Sequence, residues 1–415
     1  MKILFLSYTD FNGGAARATF FLAKGIRDLG HDVQMIVDIK TTDYYWIKSY
    51  NKSRIRKFKV AIINSILSKI KLKGSSYWSI NILRNKNLVQ MINEEKYDLI
   101  NIHWIGNNMI SVDSLKKLNA PIVWSMYDYW PITGGCHYTS FCQGYESNCS
   151  KCPQLMANSD YMSKSLLRKK TSFFRNSRVK LVPPSNSLFD ACRGSSVMQF
   201  TKDNIVTIPH GTDLSLFSPV DKREAKIILG LNENYKYILF GSAGGVQDVR
   251  KGFQFLKLAL EKLAGMKTNI PVKLLIFGQS EPASSLNLGI DIIYTGVVKD
   301  DLSLKIIYSA ADVTVTPSMQ EAFGMTASES MACGTPVVAF ATGGPRDVID
   351  HKVNGYLAQP FDSDDLTNGI LWVLKESNSS NNIRLNARTK CEKEYDLEKI
   401  SNLYVNLYKK CINYE

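Results

Sequence analysis

The stretch PSMQEAFGMTASESMACGTP, residues 317–336, decides the fold, because it carries a strand end, a loop, a helix and the start of the next strand in turn. Residues 312–316 before it (Asp-Val-Thr-Val-Thr) are β-branched and read as a buried strand that stops at Pro317. Residues 324–333 read as a helix of about three turns, closed by Gly334 at the C′ position and by Pro336 beyond it. Residues 337–340 (Val-Val-Ala-Phe) read as the following strand. Such a unit opens its helix N-terminus at the carboxyl edge of a parallel sheet, where α/β folds bind ligands.

The chemistry follows from that placement. Backbone N–H groups around Phe323, Gly324 and Met325 sit at the helix start and favour anions or hydroxyl oxygens. Glu321 lies in the loop beside them, and Glu329 lies about two turns into the helix, so the two carboxylates can accept hydrogen bonds from opposite ends of an elongated ligand. A bare pair of glutamates at this spacing also suits a plain solvated helix face. The residues around the pair favour the binding role.

Those residues resemble the Glu-x7-Glu signature of retaining glycosyltransferases of the GT-B fold, in the large family 4 (glycosyl transferases group 1) of nucleotide-sugar-dependent enzymes. Further matching pieces stand in the family's order: Asn12-Gly13-Gly14-Ala15-Ala16-Arg17, Pro209-His210-Gly211-Thr212-Asp213, Arg250-Lys251-Gly252 and Thr342-Gly343-Gly344-Pro345. The resemblance covers nearly the whole chain. It implies an α/β protein of GT-B architecture, with two Rossmann-like domains whose parallel sheets face across a cleft and a last helix that crosses back to the first domain. It further implies that Glu321 contacts the transferred sugar, Glu329 holds the ribose hydroxyls and Lys251 contacts the diphosphate, in a front-side transfer without a covalent intermediate or an essential catalytic metal. Polysaccharide assembly (capsule, exopolysaccharide or O-antigen) is the role it suggests, with a saccharide or lipid-linked saccharide as acceptor.

The chain departs from the family pattern twice. An arginine usual in the loop after the strand is missing from Gly241-Ser242-Ala243-Gly244-Gly245, and Arg250 is the candidate to replace it. Tyr127-Asp128 stands where relatives commonly have His-Asp. A tyrosine, with a reference pKa of about 10, takes no proton near neutral pH. Asp128 is a candidate to hold a donor or acceptor hydroxyl, the other reading being a brace for the turn before Trp130-Pro131. Gly14, lacking a side chain, would let backbone approach a diphosphate. His103 and His210 read as structural.

At 415 residues, with 45% hydrophobic and 21% charged content, the chain suits two globular domains. Strands expected at 2–7, 33–37, 99–103, 122–125, 237–241, 273–277, 292–295, 313–316 and 337–340 alternate with helical stretches, which implies parallel sheets. The expected division is an acceptor-binding domain over 1–205, a nucleotide-sugar donor domain over 206–394 and a crossover helix over 395–415. That tail carries Leu397, Ile400, Leu403, Tyr404, Leu407 and Tyr408 at helical spacing. The Ser/Asn-rich residues 377–382 read as a loop. No apolar run is long enough to span a bilayer and the start turns polar too soon for a signal peptide, so a cytoplasmic protein is expected.

Charge is uneven. Residues 1–205 hold 29 Lys or Arg against 14 Asp or Glu, whereas residues 206–415 hold 22 against 24. The basic excess is densest over 48–73, where Lys48, Lys52, Arg54, Arg56, Lys57, Lys59, Lys69, Lys71 and Lys73 interleave with Ile55, Phe58, Ile62, Ile63, Ile66, Leu67 and Ile70 with no acid among them. This reads as a basic amphipathic helix or helix pair, suited to the surface of an anionic membrane or to packing on the domain. Nucleic-acid binding is disfavoured, since the aromatic interleaving of single-strand binders is missing.

Four of the eight cysteines, Cys136, Cys142, Cys149 and Cys152, cluster with C-x5-C-x6-C-x2-C spacing. Cys149-x-x-Cys152 is a good half-site for tetrahedral zinc, and the first pair is spaced more widely than common zinc knuckles. Structural zinc, disulfides formed on oxidation and free thiols are the three readings, with His137 as an alternate ligand or a group facing the cleft or solvent. No cofactor is expected for catalysis. Two other functions share the fold: a nucleotide-sugar epimerase, and a non-catalytic scaffold subunit signalled by the two departures.

Overall fold

A computed structural model describes all residues except 51–52, 73–75, 158, 176–177, 242–244, 267–269, 282–285, 299, 380–381 and 414–415. Lys52, Lys73 and the departing loop residues Ser242, Ala243 and Gly244 therefore lie outside the described residues. The chain forms two compact units, Met1–Pro209 with Ile400–Glu415, and His210–Lys399.

The first unit is built on six parallel strands, β1 (Lys2–Thr9), β2 (Asp32–Ile39), β3 (Ile47–Ser49), β4 (Leu99–Ile102), β5 (Ile122–Ser125) and β6 (Lys180–Val182), in the order β3-β2-β1-β4-β5-β6. The second repeats the plan with β7 (Lys236–Gly241), β8 (Val272–Phe277), β9 (Ile292–Tyr294), β10 (Val313–Thr316), β11 (Val337–Phe340) and β12 (Gly355–Ala358), in the order β12-β11-β10-β7-β8-β9. Each sheet reverses its winding between two adjacent central strands, β1 and β4 in one, β7 and β10 in the other. That switch point leaves a crevice at the carboxyl ends of the two strands. The apolar residues of β1, β7, β8, β10 and β11 are almost wholly buried, as expected of parallel strands covered on both faces.

The helix Leu397–Ile412 belongs to the first unit from Ile400 onward. Tyr404 and Tyr408 are buried there, and Asn101 Nδ2 donates to the Tyr408 hydroxyl at 2.5 Å. Leu403, expected on the buried stripe, is instead 48% exposed, because it projects from the side of the helix away from Tyr404 and Tyr408. The loop expected over 377–382 is corrected at 377–379 and at 382, while residues 380–381 lie outside the described residues. One helix runs over Ser363–Ser379 and another starts at Asn382, because Leu366, Ile370, Val373 and Leu374 bury an apolar face whose packing outweighs the weak helix propensity of the serines and asparagines that follow. The basic stretch resolves into the edge strand β3 and one helix, Arg54–Ile70.

A buried carboxylate ties the second sheet to its helices. Asp312, just before β10, is fully buried and accepts from Lys222 Nζ at 2.7 Å and from the Tyr237 N–H at 2.9 Å, with Lys226 Nζ at 3.4 Å and Lys236 Nζ at 3.5 Å. Burial on its own raises the Asp312 carboxyl, but the Lys222 and Lys226 ammoniums and the hydrogen bonds outweigh it and hold the carboxyl below its ordinary range. A carboxyl depressed in the folded state stabilises above its unfolded pKa, and that stabilisation is lost as pH falls through the folded value. Replacing Asp312 strands the buried Lys226 and the half-buried Lys222, so Asp312→Ala is expected to lower the unfolding free energy of this unit by about 3–5 kcal/mol in denaturant titration near neutral pH. A loss under about 1 kcal/mol would place the pair at the surface value.

Candidate active site

The two loops that leave the second sheet at its switch point meet. Arg250 and Lys251, in the loop after β7, form a short turn at Val249–Lys251 ahead of the helix Phe253–Gly265. Glu321 stands in the loop after β10, ahead of the helix Met325–Ala332. The Met319 N–H donates to the Arg250 carbonyl at 2.8 Å, which fastens one loop to the other. Gly252 makes the junction possible: its φ is +73° and a Cβ there would lie 1.8 Å from the Pro317 carbonyl oxygen. A third loop, 342–344, closes on the second. The Gly344 N–H donates to Glu321 O at 3.0 Å, and Cβ atoms at Gly343 and Gly344 would lie 2.2 Å from Glu321 O and 2.3 Å from Phe323 Cα.

Glu321 is the electrostatic centre of this cluster. Lys251 Nζ donates to its Oε2 at 2.6 Å, Ser318 Oγ at 3.4 Å, and Arg250 Nη1 lies 3.6 Å away. Burial would raise the Glu321 carboxyl, yet Lys251, Arg250 and the hydrogen bonds hold it below the ordinary range, so it is ionised at neutral pH. Arg250 also pairs with Asp248 at 3.0 Å and donates to Gln320 O at 3.3 Å. The helix start beside Glu321 has Gly324 at its N-cap and no capping side chain, so its first-turn N–H groups face the same region. Glu329, on that helix, is buried and accepts from the Tyr308 hydroxyl at 3.0 Å. His210 stacks edge-on against Phe323, and burial pushes it down to about 3 against the pull of Glu321, so it stays neutral.

The first-unit candidates are placed differently. Gly14 opens the helix Gly14–Asp28 in open surroundings, with Gly13 at the N-cap and no capping side chain. Asp128, just past β5, is buried and accepts from the Trp130 N–H at 2.8 Å and Trp104 Nε1 at 2.9 Å. His137 Nδ1 lies 2.6 Å from Asp128 Oδ2 and its Nε2 is 2.9 Å from Ser79 Oγ. His137, expected to face cleft or solvent or to serve as an alternate metal ligand, is buried against Asp128, which corrects the solvent-facing reading. The Tyr127 hydroxyl contacts Thr19 Oγ1 and His103 Nδ1, both at 3.0 Å, and burial raises its pKa well above the ordinary value.

Sequence reasoning missed Asp248, Ser318 and Tyr308 in the second unit and Trp104, Ser79 and His137 as supports in the first. Asp248 lies two residues before Arg250 and could have been read as its partner. Tyr308 reaches Glu329 from a different helix, Asp301–Ala310, so no spacing in the chain announces it.

Two family models match the chain: Glycosyltransferase Family 4 over residues 12–216 and Glycosyl transferases group 1 over residues 221–390. The chain is a glycosyltransferase of the GT-B fold. It is 27% identical over 413 residues to an uncharacterised glycosyltransferase of Methanocaldococcus jannaschii, covering 96% of this chain and 94% of that one. It is also 33% identical over 167 residues to the D-inositol 3-phosphate glycosyltransferase of Segniliparus rotundus, covering 38% of this chain and only 36% of that relative's length. Among solved structures, Anabaena HepE in complex with UDP-glucose superposes with a TM-score of 0.67 at 19% identity, over 99% of this chain and 100% of the other. Since the two loops of this glycosyltransferase meet only because Gly252 has no side chain, Gly252→Ala is expected to part Arg250 and Lys251 from Glu321. Donor turnover should fall at least tenfold while circular dichroism stays unchanged; turnover at the wild-type level would contradict the junction.

Proposed function

We propose that this chain is a retaining hexosyltransferase that moves a sugar from a nucleotide-diphosphate sugar to a saccharide acceptor in bacterial polysaccharide assembly. The observation that carries the proposal is the ionised Glu321 held at 2.6 Å by Lys251 beside an uncapped helix start, at the carboxyl edge where a doubly wound sheet takes its ligands. Lys251 and Arg250 offer two cations to a departing nucleoside diphosphate, so the negative charge that grows on the leaving group is met by fixed positive charge. Glu321 and the first-turn N–H groups accept and donate hydrogen bonds to the sugar. Glu329, about one turn into the helix Met325–Ala332, is assigned to the ribose hydroxyls. Asp128 is assigned to the acceptor half, where its bonds to Trp104 and His137 hold it in one orientation. The HepE relative, described with UDP-glucose, supports a nucleotide diphosphate-hexose as donor. Removing one such electrostatic contact typically costs about 2.7–4 kcal/mol. Lys251→Ala and Glu321→Gln are therefore each expected to reduce kcat roughly 10²–10³-fold, read as nucleotide diphosphate release, with the protein still folded by circular dichroism at the assay temperature. Wild-type turnover in either variant would refute the assigned roles.

The acceptor is proposed to be lipid-linked and met at an anionic membrane surface. Among the described residues no helix is long and apolar enough to cross a membrane. The helix Arg54–Ile70, however, buries only Leu67, while Ile55, Phe58, Ile62 and Ile66 form an exposed stripe that is 43–69% accessible at each residue. Arg54, Lys59 and Lys69 border that stripe and are exposed. Arg56 is turned inward and donates to the carbonyls of Arg84 and Asn108, so it is spent on the fold. Apolar insertion with flanking cations, each worth about 1 kcal/mol near an anionic leaflet, suits an interfacial helix. The protein should co-sediment with phosphatidylserine vesicles at low salt and be released as salt rises, whereas a Phe58→Ser/Ile62→Ser variant should stay in solution. No sedimentation of the wild type would sink the membrane reading.

A further inference from the structure

The segment 134–155 carries four cysteines that the transfer chemistry leaves unused, and it packs beneath the helix that bears the exposed stripe. Cys136, Cys142, Cys149 and Cys152 all line a single cavity of ≈ 20 Å³, together with Trp78 and Tyr145. About 10–15 Å³ on this measure holds one water, so the space suits one ion. None of the four is in a disulfide.

Backbone contacts draw the cysteine-bearing turns close around this cavity. The Gly144 N–H donates to Cys142 Sγ at 3.3 Å, and the Cys149 N–H donates to Gly144 O at 2.8 Å, which brings the second and third cysteines into neighbouring turns. Cys149 and Lys151 both take left-handed backbone angles, φ +53° and +52°, so the chain folds back tightly between Cys149 and Cys152. Gly134 leaves room for this approach, since a Cβ there would lie 2.9 Å from the Cys149 Cβ.

Charge supplies an independent observation. Lys170 is fully buried and donates to the carbonyls of Trp130 and, at 2.9 Å, Thr133. Its amine lies within electrostatic reach of Cys136, Cys149 and Asp128. Asp128 is already engaged by His137, Trp104 and Trp130. A buried lysine amine beside a cluster of sulfurs is a group that can take up the counter-charge a thiolate site would need.

We propose that Cys136, Cys142, Cys149 and Cys152 bind one zinc ion, which staples the segment 134–155 beneath the helix Arg54–Ile70. Each thiol gives its proton to solvent as its sulfur bonds the ion, so four thiolates on one divalent cation leave a net charge of −2 facing Lys170. Four thiolate ligands and no open position mark a structural site rather than a catalytic one. Among the described residues no three His, Cys, Asp or Glu groups already stand in coordinating geometry. The cysteine side chains must therefore rotate inward to reach bonding distances of about 2.3 Å.

The staple would reach two distant elements. Leu67 of the helix, Trp78, Cys136 and Leu155 share one apolar cluster, with Cys152, Ile63 and Ile70 packed against it. The Met156 N–H donates to Ile70 O at 2.8 Å and the Leu72 N–H to Gln154 O at 3.1 Å, so the end of the segment pairs antiparallel with the residues that leave the helix. On its other flank the segment carries His137, which holds Asp128.

The test is elemental analysis of the full chain purified without chelator under reducing conditions. One zinc per chain is expected in the wild type and in Cys411→Ser, and none in Cys149→Ser/Cys152→Ser. Zinc chloride added to chelator-stripped wild type should raise the melting temperature and slow amide exchange in residues 54–70 and 134–155; the double variant should show neither change. Wild-type protein that carries no zinc and takes none up from zinc chloride overturns the proposal, as does full zinc retention by the double variant. Metal content is read without any turnover, so the result stands apart from the transferase assignment.

Discussion

The contact between Lys251 and Glu321 holds the candidate active site together. It joins the loop that follows β7 to the loop that follows β10, the two central strands between which the second sheet reverses its winding. Neither loop is held in place by the sheet itself. Their positions come from a few backbone contacts, among them Met319 to Arg250 and Gly344 to Glu321, and from glycines that allow backbone to approach backbone where any side chain would collide. Charge then decides the chemistry. With two cations beside it, Glu321 stays ionised despite its burial, and the same cations are the ones proposed to meet an anionic leaving group.

The sheet architecture and the main site loops were legible in the sequence because their signals are local. β-branched runs closed by proline or glycine marked β10 and β11, and the loop-and-helix spacing between them put Glu321 and Glu329 on one side of a helix entry. The short strands β3, β6 and β12 were not legible, since each carries at most one β-branched residue, whereas the equally short β4, β5, β9, β10 and β11 carry at least two. Residues 377–379 were misread for the opposite reason: polar composition suggested a loop, but the buried face of the preceding turns extends the helix. Partners contributed from elsewhere in the fold were invisible. Tyr308 meets Glu329 across two helices, and His137 turns inward to Asp128, although a histidine in a glycine- and cysteine-rich loop reads from sequence as a surface group.

The first unit shows how far a site can depend on its supports. Asp128 is held by Trp104, Trp130 and His137, and His137 is carried by the cysteine-rich segment that also packs on the helix Arg54–Ile70. A basic apolar helix, and a buried carboxylate and a thiol cluster that lie well after it in the chain, are thus one connected body. Disturbing the segment in the middle would be felt at both ends.

The central claim is that the second unit binds a nucleotide-diphosphate sugar with Glu329 on the ribose. Isothermal calorimetry of UDP, GDP and ADP and their common sugar conjugates, run on the wild type and on Glu329→Ala, tests it most directly. The account predicts that one nucleotide binds saturably and that its binding is lost in the variant. Binding of no nucleotide, or equal affinity in the two proteins, would contradict it.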